Sequence, residues 1–539
     1  MQDLRARLKS RLRRQDFWWL SGCLLLGAGL RVSLLQTSLT EISSDEAVPG
    51  LQARHIWLAG ARPLVDYENP PHGSMEMYLT AGVFALFGSS ALTLRLVPLA
   101  FGLAFVPLSY GLGRVARSAS VGRWSALYAA IGPAFLEIWQ LKAGSGYVIV
   151  LALGAASLLV LNGLAYRRWG VPAYALLGLL LGIGFWNHPV MIYFWVVSAV
   201  GIGLLVAGGV RDVGSRRPSV ISKISGPAAL AAGTGIGLAP LIAYNARNDW
   251  ITFQILSRSE AALPNPILAL KDVFAVAMPI MLGFAQPTSS ADEAQRIVHE
   301  AGWMHGVGVA VGALLFAWTI WHFRESILSI VRLRLPPQAG SLMLVALVVT
   351  PVLFSLSRFR DFLTEPRYLM PIFVAMPLVV GVILGSSGRF RQIVGRAAIV
   401  AALVVNVVGV MRIDPALNLP WEEGVSLRNS NQELIAFLED RQLDRFYADY
   451  WIVYPVMFES AERLLGYAVL DGIEIGWNRY IPAAHAVSVS EAPAVVQIAG
   501  TEAETRFRRL LSSRMIDHSE ARVGAYTVYW GFSERILDF

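Results

Sequence analysis

Charge and cysteine are both scarce in this sequence. Only 15% of the 539 residues are Asp, Glu, Lys or Arg, whereas soluble proteins carry about 25%. The single cysteine, Cys23, lies in an apolar segment, which excludes an intramolecular disulfide and a cysteine-ligated metal cluster. Hydrophobic residues make up 55% of the chain. This composition predicts a polytopic α-helical membrane protein.

The net charge of +7 does not indicate nucleic-acid binding, because the basic residues cluster in short loops between apolar segments. Residues 1–16 carry six Arg or Lys side chains and precede an apolar stretch over 17–37. This stretch is long enough to span a bilayer, and no small-residue cleavage site stands out. We therefore expect a retained anchor with a cytoplasmic N-terminus.

Apolar segments recur along residues 1–412, and we predict about 11 to 13 spans there. The candidate spans are 17–37, 91–113, 122–140, 145–163, 172–187, 189–208, 226–244, 303–322, 341–357, 368–387 and 394–412. With these spans, the basic loops fall on one side, at Arg114/Arg117/Arg123, Arg167/Arg168, Arg211/Arg216/Arg217/Lys223, Arg324/Arg332/Arg334 and Arg389/Arg391/Arg396.

Residues 75–88 are apolar but too short for a typical span. If they crossed the membrane, the basic loop after residue 113 would fall outside. We therefore predict a helix on the outer surface, within a large first outer loop over 38–90. The same argument places 268–284 outside or as a re-entrant segment.

The character of the chain changes at about residue 413. Amphipathic helical stretches alternate with strand candidates at 445–450, 464–468, 494–498 and 523–530. This alternation predicts a small α/β domain over 413–539. The span count places this domain outside the cytoplasm.

Two adjacent carboxylates, Asp45 and Glu46, follow the first span. Acidic side chains beside a bilayer are candidates for chemistry. The same residues also fit a helix start, because Ser43-x-x-Glu46 has the spacing of a capping box.

Further ionisable residues near the predicted outer face carry both signs. They are Glu68, His72, Glu76, Arg95, Glu137, Lys142, His188, Arg247, Asp249, Glu365 and Arg367. A cavity with such groups could deprotonate a hydroxyl and hold a phosphate. An in-line displacement at a sugar carbon needs a carboxylate near the nucleophile and positive charge near the leaving phosphate.

Structural interpretations compete with these roles. Glu76 fits a cap or a pair with Arg95, Lys142 lies at a helix end where snorkelling is common, and His188 lies before Pro189 in a turn. Arg367 is also typical of a membrane-interface anchor. Arg247 and Asp249 fit a local surface pair. No zinc pattern such as H-E-x-x-H occurs, so metal dependence stays open.

Several stretches together resemble the GT-C superfamily of bacterial membrane glycosyltransferases. The resemblance is to family 39, the protein mannosyltransferase-like and aminoarabinose transferase-like enzymes. The matching stretches are Asp45-Glu46-Ala47, 50–56, Gly73-Ser74-Met75-Glu76, 94–98, 240–253, 365–371, 447–451 and 458–463. The resemblance covers most of the chain and agrees with the predicted topology.

The resemblance implies that a polyprenyl-phosphate-linked sugar is transferred to an acceptor, with inversion, at the outer face of the cytoplasmic (inner) membrane. The acidic first-loop motif maps onto Asp45, with Glu46 beside it. Its role is that of a base, or of an acceptor-binding group assisted by a divalent cation. Helices over about 46–58 and 74–88 are expected to roof the cavity.

This chain departs from its relatives at one position. Many carry a lysine before Pro-Pro in the first loop, proposed to contact the donor phosphate, whereas this chain has Asn69 before Pro70-Pro71. The phosphate contact is then expected from other residues, namely Lys142, Arg247, Arg367 or a protonated His72. The supporting residues of the cavity are expected to be Arg54, Glu68, Glu76, Arg95 and His188.

Two other functions fit part of the pattern. A transporter or flippase of lipid-linked saccharides would need charged residues across the whole bilayer, whereas those found are biased to one face. A non-catalytic relative would not need Asp45 and Glu46. The sugar and the acceptor (protein, glycolipid or polysaccharide) stay open. Trp451, Trp477 and Tyr480 of the C-terminal domain fit either sugar stacking or a core.

Overall fold

The computed structural model describes residues 2–37, 41–144, 146–167, 169–209, 220–257, 265–285, 302–357, 359, 362–385, 389–411 and 430–536. Within these ranges, six helices are long and apolar enough to cross a membrane. A further candidate is a helix pair bent by 68° between Gly306–His322 and Arg324–Val331. Shorter apolar helices are Met75–Phe87, Val171–Asn187, Ser341–Ser355 and Val400–Met411. The predicted polytopic helical membrane protein is confirmed.

The helices up to residue 411 follow in chain order, interrupted by short 3-10 and π turns. They are α1 (Gln2–Thr37), α2 (Ser44–Ala59), α3 (Met75–Phe87), α4 (Ala91–Leu94), α5 (Leu96–Ala116), α6 (Ala119–Ala130), α7 (Ala134–Trp139), α8 (Tyr147–Arg167), α9 (Val171–Asn187), α10 (Ile192–Gly209), α11 (Val220–Asn245), α12 (Ile251–Ser257), α13 (Pro266–Asp272), α14 (Met278–Met281), α15 (Gly302–His322), α16 (Arg324–Val331), α17 (Val345–Ser355), α18 (Met376–Gly385) and α19 (Arg389–Met411). The predicted basic loop over 211–217 lies outside the described residues.

The predicted span 122–140 is broken in the structure. Helix α6 ends at Ala130, and α7 begins at Ala134 after Gly132-Pro133. Proline ends the helical hydrogen-bond ladder because it lacks an N–H group, and Gly132 N donates to Glu137 Oε1 at 2.8 Å. The described residues 140–144 and 146 are not helical, and α8 begins at Tyr147. An irregular segment is thus placed where a continuous span was expected.

A buried ion pair fixes this broken segment to the first helix. Arg31 Nη1 lies 3.0 Å from Glu137 Oε2, and both side chains are fully buried. Arg31 Nε also donates to Gln140 Oε1 at 3.1 Å. Charges in an apolar interior are retained only when they are paired, so Arg31 and Glu137 have a structural role.

The first loop forms two helices and a hairpin. Helix α2 begins after Ser43, whose N–H donates to Glu46 Oε2 at 3.3 Å, and it ends at Gly60, where φ is +64°. Strands β1 (Val65–Asp66) and β2 (Asn69–Gly73) pair antiparallel, and α3 follows. Helices therefore lie at both positions expected for the cavity roof.

The C-terminal part is an α/β domain, as predicted. Its helices are α20 (Ser430–Asp440), α21 (Tyr450–Glu459), α22 (Ile481–Ser488) and α23 (Glu502–Arg514). Its strands are β3 (Arg445–Asp449), β4 (Leu465–Leu470), β5 (Glu474–Ile475), β6 (Ala494–Ile498), β7 (Ser519–Val523) and β8 (Tyr526–Trp530). The sheet order is β5-β4-β3-β6-β8-β7, and β3 is parallel to both β4 and β6. The expected boundary at 412/413 lies at the edge of the undescribed residues 412–429.

One hydrophobic core joins the first loop to the C-terminal domain. Val48 and Leu51 of α2 and Phe84 of α3 belong to the same buried cluster as Phe446 and Phe458 of the domain. The rings of Phe84 and Phe458 lie 6.3 Å apart. Burial of apolar surface contributes about 25 cal/mol per Å², so this core holds the domain against the first loop.

Candidate active site

A cavity of about 670 Å³ lies where the first loop, the broken segment and the C-terminal domain meet. Its polar and charged lining residues are Ser43, Asp45, Glu46, Asp66, Glu68, Asn69, His72, Lys142, His188, Ser357, Arg367 and Arg479. Aromatic side chains, among them Trp139, Tyr147, Tyr193, Tyr368 and Trp477, form much of the remaining wall. Apolar walls with a few placed polar groups are typical of a ligand site.

Asp45 lies in the first turn of α2, and its side chain is exposed on the cavity wall. The hydroxyl of Tyr450 donates a hydrogen bond to Asp45 Oδ1 at 3.0 Å. The preceding residue, Ser44, donates from Oγ to the carbonyl of Tyr450 at 2.6 Å. The C-terminal domain therefore contacts the first predicted carboxylate directly.

Glu46 is placed very differently from its neighbour, because its side chain is 1% exposed. Arg95 donates to it from Nε at 2.8 Å and from Nη2 at 2.7 Å. Its carboxylate also accepts from Ser43 N and Ala143 N, each at 3.3 Å. These contacts give Glu46 a helix-capping and ion-pairing role that holds α2 against the broken segment.

Two predicted cations, Lys142 and Arg367, line the same cavity and lie close to one carboxylate. Glu365 lies between them, with Oε1 at 3.8 Å from Lys142 Nζ and Oε2 at 3.7 Å from Arg367 Nη1. Both cations also face the ring of Trp139, at 4.7 and 5.7 Å from its centroid. Two positive charges with one carboxylate between them leave this end of the cavity net positive, which suits an anionic group.

His72 and His188 lie side by side, with ring centroids 4.4 Å apart. Asn69 Nδ2 lies 2.8 Å from His72 Nδ1. Burial, together with the positive charges of Arg479 and Arg367, lowers the pKa of His72 to about 3. With this pKa the imidazole is neutral at pH 7, whereas a contact of His72 with the donor phosphate was expected only for its protonated form. It can still take part in hydrogen bonds.

Sequence reasoning missed an ion pair at the domain boundary. Arg479 of the C-terminal domain pairs with Asp66 of β1 through Nη2, and both side chains are 3% exposed. Arg479 Nη1 also donates to the Tyr450 hydroxyl at 3.3 Å. Burial alone would lower the pKa of Arg479, but Asp66 and Tyr450 raise it above its ordinary value. Arg479 stays charged and links β1 to Tyr450.

Several predicted residues lie away from the cavity wall. Arg54 joins α2 to the C-terminal domain, since Nη2 donates to the carbonyl of Phe458 at 2.9 Å. Glu76 is buried, accepting from Gly144 N at 2.6 Å and from Gly146 N at 3.2 Å, and so fastens the broken segment. Arg247 is exposed at the end of α11.

The aromatic candidates of the C-terminal domain have separate surroundings. Trp477 is 50% exposed, lines the cavity and stacks on Tyr450 with centroids 5.6 Å apart. Tyr480 stacks on His55 and Tyr67 at the domain interface, with centroids 4.6 and 5.4 Å away. Trp451 is half-buried beside Tyr450.

A divalent cation was a further possibility. Among the residues that the structure describes, no group of three or more His, Cys, Asp or Glu side chains is placed to hold a metal ion. Asp45 and Asp66 both line the cavity, but Asp66 is already paired with Arg479. The described residues therefore form no preassembled metal site of this kind.

Comparison with known proteins identifies solved structures that have a similar fold. No protein-family model matches the chain, and no curated protein matches its sequence. Among solved structures, ArnT from Cupriavidus metallidurans bound to undecaprenyl phosphate matches with a TM-score of 0.62 at 13% identity, over 95% of this chain and 97% of that one. Its apo state matches with a TM-score of 0.57 at 12% identity, over 95% and 98%.

A second protein has the same fold. The archaeal oligosaccharyltransferase AglB from Archaeoglobus fulgidus, in complex with an inhibitory peptide and a dolichol-phosphate, matches with a TM-score of 0.54 at 12% identity. The match covers 97% of this chain and 74% of that one. ArnT and AglB are both GT-C glycosyltransferases. The resemblance found in the sequence is therefore confirmed at the level of the fold.

Proposed function

We propose that this protein is a membrane glycosyltransferase that moves a sugar from a polyprenyl-phosphate donor to an acceptor hydroxyl. One observation carries the proposal. A single cavity is lined by an exposed carboxylate, Asp45, and by two cations, Lys142 and Arg367. This charge arrangement suits a reaction in which a hydroxyl loses a proton while a phosphate leaves.

The solved relatives support the choice of donor. ArnT was solved with undecaprenyl phosphate and AglB with a dolichol-phosphate, so polyprenyl phosphates bind two proteins with this fold. In this chain the phosphate would contact Lys142 and Arg367, whose guanidinium Nε is buried without a hydrogen-bond partner. A phosphate oxygen would satisfy that donor. Asn69 stands where many of the proteins that this sequence resembles carry lysine; it brings no positive charge and contacts His72 and Asp66.

The reaction follows from these positions. Asp45 accepts the proton of the acceptor hydroxyl, whose oxygen attacks the anomeric carbon of the donor sugar. The bond from that carbon to the phosphate oxygen breaks, and its electron pair leaves with the polyprenyl phosphate. Lys142 and Arg367 stabilise the negative charge that develops there. A single displacement inverts the anomeric configuration and needs no covalent enzyme intermediate.

The sidedness of the site is part of the proposal. The N-terminus would lie in the cytoplasm, and the cavity and C-terminal domain would face outward from the cytoplasmic membrane, as the distribution of basic loops predicts. A donor in the outer leaflet could then reach Lys142 and Arg367 from the bilayer. The acceptor would approach from the side of the C-terminal domain.

The test is transfer of radiolabelled sugar from a panel of polyprenyl-phosphate donors in membranes containing the wild type or Asp45→Asn. We expect label in an acceptor fraction only with the wild type, since the amide cannot take the proton. Equal transfer by both proteins would refute the role of Asp45. Movement of intact donor across the bilayer without transfer would favour the flippase.

A further inference from the structure

We propose that Tyr450 of the C-terminal domain is a positioning residue for Asp45. Its hydroxyl donates to Asp45 Oδ1 at 3.0 Å, although the two residues are 405 positions apart in the chain. This inference rests on the proposed function, in which Asp45 is the base. It makes the C-terminal domain a part of the active site and not only an attached module.

Tyr450 itself is held from three sides. Arg479 Nη1 donates to its hydroxyl at 3.3 Å, so that the phenol proton is directed toward Asp45. The ring stacks on Trp477, with the two planes 12° apart. Its carbonyl accepts from Ser44 Oγ at 2.6 Å, directly beside Asp45 in the chain. The phenol therefore has little freedom to turn away from the carboxylate.

The chain of contacts continues into the first loop. Arg479 pairs with Asp66 and donates from Nε to the carbonyl of Tyr67. Asp66 in turn accepts from Asn69 Nδ2 at 3.3 Å. Buried charge-assisted hydrogen bonds fix geometry because each member would be left unsatisfied if it moved. The line from Asp66 through Arg479 to Tyr450 thus fixes one oxygen of Asp45.

The consequence for catalysis is specific. With Oδ1 occupied by the phenol, Oδ2 is the oxygen left to accept the proton of the acceptor hydroxyl. The other charged groups that act on Asp45 are Asp66, Arg367 and Arg479. Tyr450→Phe keeps all three side chains, and it removes only the hydroxyl that accepts from Arg479 Nη1.

The experiment compares Tyr450→Phe with Tyr480→Phe in full-length protein reconstituted in liposomes. Both changes remove one hydroxyl from the same domain near the first loop, but the Tyr450 hydroxyl donates to Asp45, whereas the Tyr480 ring packs against His55 and Tyr67. For Tyr450→Phe we expect kcat to fall about ten- to a hundredfold, the size expected for one hydrogen bond to a charged group. The donor KM should stay unchanged.

The pH profile separates positioning from general damage. A carboxylate that loses a donor is protonated more readily, so the acidic limb of the kcat profile should move to higher pH in Tyr450→Phe and stay in place in Tyr480→Phe. An unmoved limb, or equal kcat in the two variants, would overturn the inference. If Asp45→Asn still abolishes transfer in that case, the proposed function is retained and only the role of Tyr450 is rejected.

A second substitution tests the same hydrogen bond in case Tyr450→Phe does not fold. A ring-fluorinated tyrosine incorporated at position 450 keeps the shape of the side chain and has a more strongly donating hydroxyl. It should move the acidic limb to lower pH, opposite to phenylalanine. A limb that stays where it is in the wild type would contradict the proposed hydrogen bond.

Discussion

Arg95 binds the carboxylate of Glu46 with two hydrogen bonds, at 2.8 and 2.7 Å, and both side chains are at most 2% exposed. The pair connects the first turn of α2 to the start of α5, and Ala143 N donates a hydrogen bond to the same carboxylate. Asp45 and Glu46 are adjacent acidic residues in the sequence, but they have different roles in the structure. Glu46 sets the position of the helix turn from which Asp45 reaches the cavity.

Stability should separate the two carboxylates. Glu46→Ala leaves Arg95 as a buried unpaired charge, and removing one partner of such a pair typically costs about 3–5 kcal/mol. Asp45→Asn replaces an exposed side chain and should change stability little. Thermal unfolding in detergent checks this, and similar melting temperatures for the two variants would contradict the assignment.

The pair between Arg31 and Glu137 should behave as a unit. Glu137→Gln leaves Arg31 buried without its counter-charge and should destabilise the protein by about 3–5 kcal/mol, whereas replacing both by Met and Leu should cost less than the sum of the two single changes. A double-mutant cycle on the melting temperatures measures the coupling. Strictly additive shifts would show that the two side chains do not interact.

The cations on the cavity wall should determine donor affinity. Lys142→Met and Arg367→Met should each weaken donor binding about ten- to a hundredfold, because a hydrogen bond to a charged group contributes about 1.5–3 kcal/mol. Arg247→Met is the matched control, since Arg247 is exposed and lies outside the cavity. Binding of a polyprenyl phosphate by microscale thermophoresis compares the three. An equal loss in the control would place the phosphate elsewhere.

His72 should make stability depend on pH. Burial lowers its pKa from 6.5 to about 3, so below pH 6.5 the unfolded chain takes up a proton that the folded chain does not. The stability that this group contributes is complete above pH 6.5 and is lost as the pH falls toward 3. The melting temperature should therefore fall between pH 7 and pH 5.

The matched variants for this prediction are His72→Asn and His485→Asn. The first should reduce the fall in melting temperature, while the second changes a surface residue on α22 and should leave it as in the wild type. If the melting temperature of His72→Asn falls with pH as steeply as that of the wild type, the pH dependence comes from groups other than His72 and the prediction is wrong.

Hydropathy and charge distribution were sufficient to predict a helical membrane protein with a C-terminal α/β domain. The number of spans was predicted less well, since about 11 to 13 were expected and the described residues hold six helices long and apolar enough to cross a membrane, or seven with the bent pair. Apolar length and alternating patterns are local properties, so they can be read along the chain. The break at Gly132-Pro133 was missed because the residues on both sides, from 122 to 140, form one apolar run. The acidic residue Glu137 within this apolar run indicates the break. Its partner Arg31 lies in another helix, however, so the ion pair is not evident from the local sequence.

The site was predictable only in part. The sequence identified Asp45, Lys142 and Arg367 as candidates, and the structure places all three on one cavity. It also assigned Arg54, Glu76 and Arg95 to the cavity, whereas these side chains fasten the loop around it. Tyr450 and Arg479 carry no local signal, because their roles arise only when the C-terminal domain packs on the first loop.

The most direct test of the account is the stoichiometry of the products. Purified protein in liposomes would be supplied with a polyprenyl-phosphate sugar and membrane-derived acceptors. Mass spectrometry would then count the free polyprenyl phosphate and the newly glycosylated product. We predict one of each per donor consumed with the wild type, and neither with Asp45→Asn. Glycosylated product formed without free polyprenyl phosphate, or equally by both proteins, would contradict the central claim.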